Sequence, residues 1–126
     1  MISGRVRIGI LTAVSCVGLA LSACSSSSAA VVVAGTWGED AQGQPQLVLE
    51  EDGHLSGTDG CNRLAGSWEQ NDEQTITFDQ VAMTKMACFD VDTWLMSLDT
   101  AFVDGDVMHV NDASGAEIGS LLRAAQ

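Results

Sequence analysis

The sequence predicts a mainly β domain, a small antiparallel barrel or sandwich, with one amphipathic helix packed on it. Three observations carry that expectation. From Gly35 onward, short runs of alternating apolar and polar residues recur at spacings of about 8 to 15 residues. Clusters of Gly, Asp, Asn and Ser separate them, the residues that turns select. One stretch alone breaks this rhythm and adopts a helical period. The 126 residues suffice for one small domain and exclude a multidomain enzyme.

Taken in order, Gly35-Thr36-Trp37 starts a strand, with the valines before it beginning or lying along that strand. Gln46 to Leu49 alternates as a half-buried strand should, and Glu51-Asp52-Gly53 is a hairpin turn because Asp-Gly tolerates positive φ. His54 to Thr58 is the return strand. Leu64 to Glu69, carrying Trp68, is followed by the polar turn Asn71-Asp72-Glu73, and Thr75 to Phe78 puts Ile76 and Phe78 on one face. Val107 to Val110 and Ile118 to Leu122, joined by Asn111-Asp112-Ala113-Ser114-Gly115, complete about seven strands.

The exception lies between Asp90 and Gly105. Val91, Trp94, Leu95, Leu98, Ala101 and Phe102 fall at i, i+3, i+4, i+7, i+10 and i+11, the spacing of one helical stripe. Asp90 or Asp92 would cap its start and Gly105 would follow its last turn. Trp94 and Phe102 are its expected core anchors.

The first residues read differently. Arg5 and Arg7 precede an apolar run from Ile8 to Leu21, and Leu21-Ser22-Ala23-Cys24 follows, the layout of a cleavable export signal. A cysteine directly after Leu-Ser-Ala resembles a bacterial lipobox, in which the cysteine takes a diacylglyceryl thioether and the signal is cut before it. The apolar run, at about 14 residues, is short of the roughly 20 that span a bilayer. The expected organisation is therefore a lipoprotein signal peptide at 1–23, a Ser/Ala-rich tether at 24–34 with lipidated Cys24 at its head, and one domain at 35–124. This places the chain in the cell envelope, attached to a membrane by its lipid.

Charge narrows the partners. Acids number 17 against 5 basic residues, a net charge of −12. Removal of the signal leaves Arg63, Lys85 and Arg123 against all 17 acids, a side-chain charge of −14. Such a domain does not bind nucleic acid, whose phosphates require Lys and Arg. It favours plain solvation or a cationic partner protein.

With Cys16 lost in the signal and Cys24 lipidated, Cys61 and Cys88 remain as an even pair in an oxidising compartment. They are expected to form a disulfide stabilising the fold by roughly 3 to 4 kcal/mol. A metal site built from these cysteines with His54 and His109 is disfavoured, since no Cys-x-x-Cys or His-x-x-x-His spacing is present. Asp104-Gly105-Asp106 and Asn111-Asp112 fail the register of a calcium loop and are turn acids. No nucleophile elbow or phosphate cradle occurs. The chain is accordingly expected to be neither an enzyme nor dependent on a cofactor.

Two segments carry a family resemblance. Leu55 to Trp68 contains Gly60-Cys61-Asn62-x-x-x-Gly66, and Val81 to Cys88 contains Met83-Thr84-x-Met86-x-Cys88. Together with Gly35-Thr36-Trp37 and Ile76-Thr77-Phe78, they resemble the META/HslJ domain family over about Gly35 to Leu122. The resemblance implies a small, partly open, lipocalin-like antiparallel barrel with a helix packed on it. Members are often envelope proteins, some linked to heat shock or antibiotic stress.

The expected function is that of a non-enzymatic, membrane-anchored envelope lipoprotein that responds to stress or binds a partner. The alternative is an acidic inhibitor or interaction module for a cationic protein. A candidate binding spot follows from the rare positive charges. Arg63 and Lys85 lie beside Cys61 and Cys88, so a disulfide would bring them together, with Asn62 and Thr84 adding hydrogen bonds toward a small anion. The competing arrangement pairs each with a nearby acid such as Asp59 or Asp90.

Overall fold

A computed structural model describes residues 32–125 together with Gly18. The rest of the expected signal, Cys24 and the expected tether as far as residue 31 lie outside the described residues. Eight strands form one antiparallel sheet in sequence order: β1 (Gly35–Gly38), β2 (Gln46–Leu49), β3 (His54–Thr58), β4 (Arg63–Gln70), β5 (Thr75–Met83), β6 (Thr100–Asp104), β7 (Val107–Asn111) and β8 (Glu117–Leu122). Each strand pairs with the next, and the last returns to the first. Trp37 bridges to Arg123, and the Ala124 amide donates to the Thr36 carbonyl at 2.9 Å. The meander is thus a nearly closed up-and-down barrel, which leaves little free strand edge.

Alternation along the strands fills the interior. Trp37, Leu47, Leu49, Leu55, Leu64, Ile76, Phe78, Ala101, Val103, Met108, Val110 and Leu121 point inward and are buried. Val33 joins them, although the strand begins only at Gly35, so the valines precede β1 rather than lie in it. The Trp37 indole donates to the Val33 carbonyl at 2.9 Å, which satisfies the one polar atom this ring brings into the core.

Successive antiparallel strands give the barrel two poles. Tight turns at residues 50–53, 71–74 and 105–106 lie at one, where the chain also enters at Val32 and Arg123 follows β8. The connections 39–45, 84–99 and 112–116, all longer, lie at the other together with the four-residue turn 59–62. We refer to them as the turn pole and the loop pole.

The predicted amphipathic helix does not form. The described residues contain no α-helix, and its stretch divides into a loop, one 3₁₀ turn at Trp94–Ser97 and strand β6. The reason lies in a competing period. Thr100, Ala101, Phe102 and Val103 alternate, so Ala101 and Val103 enter the core while Phe102 faces outward, 42% exposed, and is no core anchor. Gly105, expected after a helix end, instead turns the β6–β7 hairpin with φ +60°. Asp90 is not a cap; it lies in the loop at φ 57°.

The 3₁₀ turn nevertheless covers part of the barrel. Leu95 is fully buried, and the partly buried Trp94 ring lies flat enough on β8 that a Cβ at Gly119 would come within 2.7 Å of it. β5 pairs with β6 only through Thr75 to Thr77, and the Phe78 amide donates to the Asp99 carbonyl at 2.9 Å where the connection enters β6.

Candidate functional site

At the loop pole, the two motif segments are tied by covalent and polar links. Cys61 and Cys88 form a disulfide with Cα atoms 5.9 Å apart. Because both sulfurs are consumed, the alternative metal site from these cysteines and the two histidines is ruled out. His54 instead pairs with Asp52 at 3.2 Å and His109 with Glu117, each on an exposed face.

Beneath the disulfide lies the buried carboxylate of Asp59. It accepts from the Cys61 amide at 2.8 Å, the Asn62 amide at 2.5 Å and the Asn62 side-chain nitrogen at 3.4 Å. These donors replace the water that a buried carboxylate would otherwise lose. Gly60 lets this turn close against the 39–45 loop: its φ is +98°, and a Cβ there would meet the Gly43 carbonyl oxygen at 2.7 Å.

Asn62, also buried, carries the link onward. Its side-chain oxygen accepts from the Met86 amide at 2.6 Å and from the Thr84 hydroxyl at 3.3 Å. The same Thr84 oxygen accepts from the Arg63 amide at 3.0 Å, and the Thr84 amide donates to the Arg63 carbonyl at 3.1 Å. Asn62 and Thr84, expected to offer hydrogen bonds to an anion, are therefore engaged in joining the two segments.

The Arg63 backbone is bonded to Thr84, the residue before Lys85, and both cations are exposed. Among the described residues neither forms an ion pair, so the expected pairing with Asp59 or Asp90 is absent. Asp59 faces inward to backbone amides. The third cation, Arg123, is committed at the turn pole. Its guanidinium lies 4.1 Å from the Trp37 ring centroid, donates to the Val32 carbonyl at 2.7 Å and meets Asp106 at 3.3 Å.

Sequence reasoning named Asp59 only as a partner for a cation and Met86 only within a motif, and it did not single out Phe89. Phe89 follows the disulfide and is 95% exposed; Met86 is 57% exposed. Asp59 carried a signal in the run Thr-Asp-Gly, a turn with a carboxylate able to cap its own following amides. Phe89 carried none, since a single aromatic between a cysteine and two aspartates has no period to place it.

Other surface features are less organised. An open cleft of about 650 Å³ follows the β1–β8 seam, with Thr36, Glu39, Asp40 and Arg123 on its walls. Glu50, Asp52 and His54 gather at the turn pole, all exposed. Within the described residues no helix is long and apolar enough to cross a membrane.

Neither curated proteins nor solved structures yielded a match to the chain. The META domain family profile matches residues 23–117, well over half of the chain, and so includes the disulfide and both segments it joins. The chain belongs to the META domain family.

Proposed function

We propose that this protein is a lipid-anchored envelope lipoprotein whose META domain works by binding at its outer surface, without catalysis. The observation that carries this reading is the solid interior. Trp37, Leu47, Leu49, Leu64, Ile76, Leu95 and Met108 are each no more than 2% exposed and fill the space that a ligand-carrying barrel would leave open. Recognition then falls to the loops on the rigid barrel, as is usual for such scaffolds. A stress-related role fits the same surface-binding reading.

A second reading, an acidic module that docks a cationic protein, is favoured by the mature charge of −14, which arises from Arg63, Lys85 and Arg123 against 17 acids. Salt separates the two. A complex steered by the acidic surface dissociates as ionic strength rises, whereas one seated on apolar loop residues persists.

Anchoring is tested by Cys24→Ser in cells fed a labelled fatty acid. The wild-type chain is expected to carry label and the variant to accumulate as unlabelled precursor. Equal labelling of both refutes attachment through Cys24.

A further inference from the structure

We propose that the loop 84–93 is a docking surface for a partner protein, with Phe89 as the anchor. The partner would present an apolar pocket bordered by carboxylates on the Arg63 and Lys85 side. This deepens the surface-binding reading above and rests on it.

Exposure is the first argument. Thr84 to Asp90 are exposed without interruption, and Phe89 is 95% exposed while Met86 is 57% exposed. An aromatic that contacts so little of its own domain contributes almost nothing to the fold. Phe and Met are among the residues enriched at the cores of protein interfaces relative to the rest of the surface.

Rigidity is the second. The loop is fixed before Phe89 by the Cys61–Cys88 disulfide and the Met86 to Asn62 bond. After Phe89 it is fixed by Val91, whose methyls lie against Gly43 and Gly60, at 3.9 and 3.1 Å from where their Cβ atoms would be. Between these pins only Phe89 and Asp90 stand clear, with Asp90 held at φ 57°. An anchor displayed on a pinned backbone loses little conformational entropy on binding.

Charge selects the partner. Arg63 and Lys85 are the two cations outside an ion pair among the described residues, and both belong to this cluster. Asp90 and Asp92 follow Phe89 in the chain, whereas Lys85 precedes it, and all three are exposed. The matching surface therefore has its carboxylates on one side of the pocket, where Arg63 can take one in a bidentate fork. A lipid surface fits less well, because the chain enters the barrel from the opposite pole and the acidic domain is repelled by anionic headgroups.

The test uses the full chain in cells, with a photo-crosslinking phenylalanine analogue placed in turn at Phe89, Phe102 and Leu122, three exposed apolar positions. The expected result is a discrete protein adduct from position 89 alone, its crosslinked peptide rich in Asp and Glu. The adduct should fall at least tenfold when Arg63→Glu and Lys85→Glu are combined, with an unchanged melting temperature confirming the fold. No protein adduct at 89, an adduct of two copies of this chain, a lipid adduct, or an adduct indifferent to the charge reversal each overturns the proposal. Repeating the crosslink in Cys24→Ser with membrane fractionation separates the two readings: fractionation reports anchoring and the adduct reports docking.

Discussion

The two poles of the barrel are held together by different physics. At the turn pole, Trp37 is fully buried, its indole donates to Val33, and Arg123 stacks on its ring while joining Val32 and Asp106. Packing does most of the work there, and the connections are tight. At the loop pole the connections are mostly exposed, and although Leu95 plugs the barrel, residues 59–62 and 84–90 are held by a disulfide with the Asp59–Asn62–Thr84 hydrogen bonds. A segment that buries little apolar surface needs cross-links to remain ordered, and the same lack of burial leaves its side chains available to a partner.

The largest test of this contrast is Trp37→Ala. It removes the biggest side chain of the core together with the seat of Arg123, and is expected to cost about 3 to 5 kcal/mol. That is a large part of the 5 to 15 kcal/mol typical of a domain, so the variant should lose its cooperative melting transition or retain only a low one. A calorimetric melt within a few degrees of wild type would show that the turn pole is not held by this ring.

Reduction of the disulfide comes next. The expected loss is roughly 3 to 4 kcal/mol, a fall in melting temperature of about 10 °C or more. Hydrogen exchange on the reduced protein localises the effect. Amides of residues 59–62 and 84–93 should lose protection first while those beside Trp37 retain theirs. Uniform loss at both poles would abolish the distinction.

Acid produces the smallest effect. Backbone amides of His54 hold Asp52 below its ordinary value of 3.8, those of Gln74 and Thr75 do the same for Asp72, and at the loop pole the Ser114 hydroxyl lowers Asp112. A carboxylate with a depressed folded pKa stabilises fully above the unfolded value. Its contribution fades as pH falls below about 3.8 and is gone beneath the folded value. Melting of Asp72→Asn and wild type should therefore differ at pH 6 and converge near pH 2. A difference that is constant with pH would mean that the charge of Asp72 plays no part.

Much of the fold was legible because hairpins write themselves locally. Asp52-Gly53 and the alternation of Gln46 to Leu49 placed their strands without tertiary information. The stretch from Val91 to Phe102 misled because three short elements, each with its own inward residue, add up to a false helical stripe. Val91 seats on glycines, Leu95 plugs the barrel and Ala101 alternates in a strand. The site was legible through its cysteines, since the two left after the expected signal and lipidation have only each other as partner. Asn62 and Thr84 were found, but their internal role depends on contacts between segments distant in sequence. Phe89 was hidden for the same reason, as exposure is a property of the assembled surface.

The pairing of Trp37 with Arg123 also sets a timetable. Arg123 follows β8, the strand made last, and covers a ring in β1, the strand made first. Until the whole meander has emerged, Trp37 has no lid and the barrel has no seam, so contacts of long sequence separation dominate and closure is slow. The arginine acts as a latch that engages only once the last strand is in place.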